Sequence, residues 1–285
     1  MKSFNFKVFR LSPRFLGFSF YLFTLFMRSL VPIFISVLFL LAGEGSLLFP
    51  AWRAFFLGAA LFAGAIALFT WQLRFLPTLL LTALVVGSGI AFFLFAFPTR
   101  AGEEYFNVLP HIFVAVWAFI LLLALGERVR ASRGLSADLN RIQAIIYVSL
   151  FLLYASAYSS LGSPFFMQGW MVLLVIAVAA YVAMFIRLEG HTRMYALGVP
   201  ERRLMAYSAA ASFLLTQMFL VVSFWPFAPL RVAAVLVVVD YCIANIFIRF
   251  FRATLRPLDI IRVVAVVGAT MVVLLAQSPW LVVSH

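Results

Sequence analysis

Asp240 is the residue whose type and position most directly suggest chemistry. It lies about ten residues into an apolar stretch, 230–248, that contains no other acidic residue. An ionisable group at that depth in a hydrophobic segment is costly to bury and is by default a functional hypothesis. Tyr241 and Asn245 follow it closely and could help to hydrate it. The alternative is that Asp240 makes a hydrogen bond to another helix and fixes the packing of the two.

Polar residues at a comparable depth in other apolar stretches could extend a site around Asp240. We therefore predict a polar path for a solute, or a proton-exchange site, formed by Asp240, Asn245, Gln217, Thr216 and Ser88.

Acidic and imidazole side chains elsewhere could support a lipid-modifying enzyme. Glu44, Glu103 and Glu104 could act as general acids or bind a metal, but they lack a DxD-type spacing, and solvated loop charge explains them as well. His111 is expected to be a feature of a helix start. Three scattered histidines and the single Cys242 do not form a zinc pattern. We expect no metal site, no cofactor and no catalytic residue set.

The composition sets the class of protein that must position these residues. Apolar residues make up 66% of the chain and charged residues 11%, whereas soluble domains have about 25% charged residues. A spanning helix needs roughly 18 apolar residues. The predicted spans are one within 16–48 and eight more at 54–73, 76–97, 106–125, 143–161, 169–186, 205–225, 230–248 and 259–277. The fold class is therefore an all-α integral membrane protein with nine transmembrane helices.

The distribution of positive charge predicts the orientation. With the N-terminus in the cytoplasm, 18 of the 21 Lys and Arg residues lie inside, and Arg53, Arg100 and Arg231 lie outside. The C-terminus at His285 then faces out, and the membrane is expected to be a prokaryotic plasma membrane. The net charge of +12 indicates contact with anionic lipid headgroups on the cytoplasmic side and not with nucleic acid.

The beginning of the chain allows two interpretations, because Arg28 interrupts its apolar residues. One is a single long helix in which Arg28 is buried. The favoured one is a basic amphipathic segment, 1–28, at the cytoplasmic interface, with Pro32 in the first turn of the following span. Residues 29–285 then form a single polytopic transmembrane helical domain.

The cytoplasmic loop at 187–204 has a pattern of its own. Gly190 and the Gly198–Pro200 segment are expected to break the chain on either side of His191–Leu197. Residues 195–204 read Tyr-Ala-Leu-Gly-Val-Pro-Glu-Arg-Arg-Leu and resemble the coupling loop of ABC-transporter permeases. The resemblance covers ten residues of 285. It implies that residues 190–204 dock onto a separate ATPase through Tyr195, Leu197, Gly198, Pro200, Arg202 and Arg203.

Three functional classes follow from the sequence. The first is a transport-type membrane protein, either a permease subunit or a small exporter. The second is a non-catalytic structural or assembly subunit of a larger membrane complex. The third is a lipid-modifying enzyme. Transport is preferred over the others, and it predicts that Asp240→Asn abolishes solute flux without lowering the folded yield.

Overall fold

The computed structural model describes residues 13–69, 76–95, 108–132, 138–161, 169–224 and 228–276. In these residues the chain forms nine α-helices, and a short 3-10 turn at Pro50–Trp52 joins the first two. The helices are α1 (Pro13–Leu48), α2 (Arg53–Phe69), α3 (Leu76–Phe95), α4 (Val108–Ser132), α5 (Leu139–Leu161), α6 (Gly169–Met194), α7 (Glu201–Ser223), α8 (Pro229–Phe251) and α9 (Pro257–Ala276).

Six of the described helices are long and apolar enough to cross a membrane. The qualifying segments are Leu30–Leu48, His111–Arg130, Leu139–Ser159, Trp170–Met194, Glu201–Ser223 and Pro229–Phe251. Two shorter apolar helical segments are Arg53–Ile66 and Thr78–Ala91. These helices agree with the prediction of an all-helical, multi-pass membrane protein.

Contacts between helix ends show which termini share one end of the bundle. The backbone N–H of Asp138, just before α5, donates to Glu127 near the end of α4 at 3.2 Å. Arg128 in the same turn of α4 donates to the carbonyl oxygen of Leu68, near the end of α2, at 3.0 Å. The helices α2, α4, α6 and α8 all finish at one end of the bundle. We call this end the basic end.

Contacts of His191 place the start of α5 and the ends of α6 and α8 together at the basic end. Its ring nitrogens lie 2.9 Å from Nε2 of Gln143, near the start of α5, and 3.1 Å from Nη2 of Arg252, which caps α8. At the opposite end, Nδ1 of His111 lies 2.6 Å from Oε2 of Glu44, which joins the start of α4 to the end of α1. The helices therefore alternate in direction, as repeated crossing of a membrane requires.

α1 differs from the favoured prediction for the start of the chain. It runs without interruption for 36 residues, and Pro32 lies inside it instead of in a first turn. The expected position of Pro32 in the first turn of a helix is therefore wrong. Proline inside a helix removes one backbone hydrogen bond, whereas ending the helix at that point would leave several backbone groups unsatisfied. A continuous helix is the less costly solution.

Two glycines allow helices to approach closely in the interior. A Cβ atom at Gly89 would lie 1.6 Å from the indole of Trp117, and one at Gly64 would lie 2.7 Å from Val86. The Trp117 indole N–H donates to the carbonyl oxygen of Val85 at 2.9 Å. Small residues thus bring α3 against α4 and α2, as expected for membrane helices.

α6 and α8 end in the same way. The N–H of Leu197 donates to the Thr192 carbonyl at 3.0 Å, and the N–H of Thr254 donates to the Arg249 carbonyl at 3.0 Å. These bonds form Schellman motifs whose left-handed residues are alanines, Ala196 at φ 48° and Ala253 at φ 53°. Glycine normally occupies that position.

The break expected at Gly190 is wrong, because α6 continues through it to Met194. A Cβ atom at Gly190 would lie 2.7 Å from the Leu139 side chain. Gly190 thus permits the close approach of α5 to α6 and does not end a helix. Residues 191–194 are the last turn of α6 and not a separate short helix.

Candidate functional site

Two tyrosines of α5 form one side of the site. Tyr147 and Tyr154 are seven residues apart, which places them two turns apart on one face of the helix. Tyr154 is fully buried and Tyr147 half-buried. The apolar residues around them pack this face of α5 into the core of the bundle.

A buried ion pair joins α6 and α8 beside these tyrosines. Nη2 of Arg187 lies 2.5 Å from Oδ2 of Asp240, and both side chains have 0% exposure. The pair is therefore isolated from solvent and from lipid. Removing one partner of such a pair costs about 3–5 kcal/mol, because the remaining charge stays buried without compensation.

The aromatic rings complete the environment of Arg187. Its Cζ atom lies 4.5 Å from the centroid of the Tyr147 ring, which is a cation–π contact. Tyr241 packs edge-on against Tyr147 with the ring centroids 5.8 Å apart. The guanidinium is thus held by Asp240 and by an aromatic face. The Tyr154 side chain is fully buried on the same face of α5 as Tyr147.

Hydrogen bonding at this cluster is incomplete. Among the described residues, no hydrogen-bond partner of normal angular geometry is present for Nε and Nη1 of Arg187, for either carboxylate oxygen of Asp240, or for the Tyr154 hydroxyl. The short contact between Arg187 and Asp240 is an ion pair without an aligned hydrogen bond. Buried polar atoms of this kind are rare and call for a functional or structural explanation.

The length of α6 explains how Arg187 comes to be buried. The helix has 26 residues, or about 39 Å at 1.5 Å per residue, compared with about 30 Å for the hydrocarbon core of a bilayer. Arg187 lies seven residues before Met194, and side chains of a helix point back towards its N-terminus. Its guanidinium is therefore directed into the bundle and away from the basic end.

Arg187 is the partner of Asp240 that the sequence analysis does not identify. The predicted span 169–186 ends just before it, so the sequence assigns Arg187 to the cytoplasmic headgroup layer. One signal could have identified it. The sequence continues as Leu188 to Met194 without a turn signal except Gly190, so that a longer helix places Arg187 inside the membrane.

The predicted polar residues on α3 and α7 make no hydrogen bond to Asp240, whose carboxylate oxygens have no hydrogen-bond partner among the described residues. Ser88 is buried and donates its hydroxyl to a carbonyl of its own helix at 2.9 Å. Thr216 does the same in α7 at 2.8 Å. Gln217 lies on an exposed face of α7.

Asn245 belongs to a different face of α8 from Asp240. Its amide donates to the carbonyl oxygen of Tyr241 at 3.0 Å. Both residues line a groove between α8 and α9. The polar path through all five residues stays a prediction. The partner that the structure gives Asp240 is Arg187, whose guanidinium lies over the Tyr147 ring.

The loop that resembles a coupling loop is attached to α8 through Tyr195. Cζ of Arg252 lies 3.7 Å from the centroid of the Tyr195 ring, which stacks on His191 at 6.1 Å. Gly198 has φ 60°, and α7 begins at Glu201. Pro200, Arg202 and Arg203 are exposed at the basic end.

The remaining candidates do not assemble into a reactive centre in the described part of the chain. Glu44 and His111 form the contact at the end opposite the basic end, and both are partly exposed. Glu103 and Glu104 lie outside the described residues. No group of three His, Cys, Asp or Glu side chains that could hold a metal ion occurs among the residues described.

Comparisons with protein-family models, with curated proteins and with solved structures gave no significant match.

Proposed function

We propose that this chain is a transport-type membrane protein, either a permease subunit or a small exporter, in which the Arg187–Asp240 pair is the coupling site. The single observation that supports this is a fully buried ion pair whose donors and acceptors remain available. Intramembrane charges of this kind mark proton and ion pathways in membrane proteins.

The mechanism uses two positions of one side chain. In the described state Arg187 pairs with Asp240. In a second state the Arg187 side chain extends towards the basic end, where a long cationic side chain reaches headgroups easily. Asp240 then takes a proton or a cation in its place. Tyr154 offers a hydroxyl to whichever group occupies the site.

The test is ion movement in vesicles. Purified protein is reconstituted in liposomes that contain a pH-sensitive dye, and a K⁺ gradient with valinomycin sets the membrane potential. We expect potential-driven proton uptake above that of empty liposomes. The single variant Asp240→Asn leaves Arg187 buried without a partner, so the critical variant is the neutral pair Arg187→Gln/Asp240→Asn. It should fold and lose proton uptake.

The matched control is Asp259→Asn, which changes an Asp paired with arginine outside the bundle core. Its proton uptake should equal that of the unmodified protein. If the neutral pair retains uptake, Asp240 is not the coupling site. If the unmodified protein behaves like empty liposomes for protons and also fails to accumulate Na⁺, the transport proposal is wrong.

A structural or assembly subunit is the second candidate, and the same pair favours it in part. Arg187 and Asp240 connect α6 to α8, and Tyr147 adds α5. In this case, variants of the pair would change thermal stability or the recovery of a complex in mild detergent and would leave ion movement unchanged. Co-purification of a stoichiometric complex without an ATPase would support it.

The proposal includes a topology and partners. We infer nine spans with the N-terminus inside and the C-terminus outside, the basic end facing the cytoplasm of a prokaryotic cell. Residues 1–28 form an interfacial segment, residues 29–285 one membrane domain, and residues 190–204 the surface for a separate ATPase. Accessibility tags at residues 1 and 285 should report opposite compartments, and pull-down through a tag should recover the ATPase.

A further inference from the structure

A cleft lined by arginines lies between the end of α8 and the start of α9. Its volume is about 290 Å³, and Arg249, Arg256 and Arg262 line it together with Asp259. The side chains of Arg249 and Arg262 are 49% and 76% exposed, so that the cleft is open to solvent and to lipid headgroups.

Charge in the cleft is not balanced within the cleft itself. Asp259 forms an ion pair with Arg249, accepts the backbone N–H of Arg256 at 3.1 Å and lies 4.0 Å from Nη1 of Arg262. The cleft is thus lined by three arginines and one carboxylate, which leaves a local charge of about two positive units. Asp259 holds Arg249 in an ion pair, and the remaining guanidinium N–H groups of the three arginines suit the oxygens of a phosphate.

An apolar groove continues from the cleft along the two helices. Its volume is about 200 Å³, and Arg249, Asp259 and Arg262 line both spaces. Beyond them the groove is lined mainly by side chains without charge, Tyr241, Cys242, Asn245, Ile246, Val263 and Val266. A cationic cleft that opens into an apolar groove matches the two parts of a lipid molecule.

We propose that this cleft and groove bind one anionic phospholipid, with its phosphate between the three arginines and one acyl chain between α8 and α9. A free phosphate ion would use only the cleft and would gain nothing from the groove. A zwitterionic lipid would use both but would add a cation next to the arginines. The proposal is independent of the coupling role of Asp240.

The experiment measures binding of phosphatidylglycerol to detergent-solubilised protein by native mass spectrometry and by thermal unfolding. We expect phosphatidylglycerol to remain bound and to raise the unfolding temperature, and phosphatidylcholine to do neither. The variant Arg256→Gln/Arg262→Gln should weaken phosphatidylglycerol binding roughly tenfold or more. Its matched control, Arg130→Gln/Arg141→Gln, removes two arginines of α4 and α5 that do not line the cleft, and it should bind phosphatidylglycerol as the unmodified protein does.

A second pair of variants tests the groove. Val266→Trp fills it and should weaken phosphatidylglycerol binding, whereas Val264→Trp places the same ring on an exposed part of α9 that does not line the groove. Equal binding of phosphatidylcholine would overturn the proposal. So would full competition by 10 mM inorganic phosphate combined with no effect of Val266→Trp, since the site would then be one for free phosphate.

Discussion

α8 takes part in two Arg–Asp pairs that have opposite surroundings. Asp240 pairs with Arg187 in the interior, where both side chains have 0% exposure. Nine residues later, Arg249 pairs with Asp259 at the basic end, where the arginine side chain is 49% exposed. The same two chemical groups thus form a closed pair among α5, α6 and α8, and an open one between α8 and α9.

The difference shows that helix packing determines whether a charge pair is accessible to other ligands and how much stability is lost when one partner is removed. α8 packs extensively against α5, whereas α9 is held mainly by α8 and exposes most of its side chains. The interior pair has no alternative partner in its described state, so losing one member is costly. The pair at the edge can share its arginines with a phosphate, because water and headgroups already reach it.

The largest expected effect is the loss of one interior charge. Asp240→Leu should destabilise the protein by about 3–5 kcal/mol, because it leaves the Arg187 guanidinium buried and unpaired. Asp259→Leu should lower the unfolding temperature much less. Thermal unfolding in detergent, followed by tryptophan fluorescence, measures both. Equal losses of stability in the two variants would contradict the proposed difference between the interior pair and the pair at the edge.

Removing both interior charges together should restore most of that loss. Arg187→Met/Asp240→Leu replaces the pair by apolar side chains, which is often neutral or favourable to stability. The double-variant cycle in the same unfolding assay gives the coupling free energy between the two residues. A double variant as unstable as Asp240→Leu would show that the packing of Asp240, and not its charge, stabilises the bundle.

Two glycines extend the comparison to packing. Gly89→Ala should cost about 1–3 kcal/mol, since its Cβ would overlap the Trp117 indole and overpacking carries a penalty of this size. Gly268→Ala on α9 meets nothing within 4 Å and should gain about 0.5–1 kcal/mol from the better helix propensity of alanine. A gain at both positions would mean that the α3–α4 contact is loose.

The smallest effect is expected at the ends of α6 and α8, which share a motif. Ala196→Gly and Ala253→Gly should each stabilise the protein by about 0.5–1 kcal/mol, because glycine adopts the left-handed conformation without the strain of a Cβ atom. Parallel urea titrations of the two variants should give similar shifts. A loss of stability in either variant would contradict the assigned backbone conformation.

Much of the fold could be predicted from the sequence, because apolar length and the positions of arginines respond directly to the membrane. Asp240 can be identified for the same reason. Its partner cannot, because a count of residues in apolar runs assigns every arginine near the end of a run to the headgroups. Arg187 becomes an interior residue only when α6 is known to continue past Gly190. The α8–α9 cleft depends on how the two helices pack against each other, and a local sequence pattern does not predict that packing.

The interior pair also has a consequence for the order of biogenesis. Asp240 follows Arg187 by 53 residues along the chain, which at about 5–20 residues per second is roughly 3–10 seconds of synthesis. During that interval α6 carries an arginine whose acidic counterpart has not yet been synthesised, so we expect this arginine to stay near the lipid headgroups. We expect the arrival of α8 to bring α6 to its final depth.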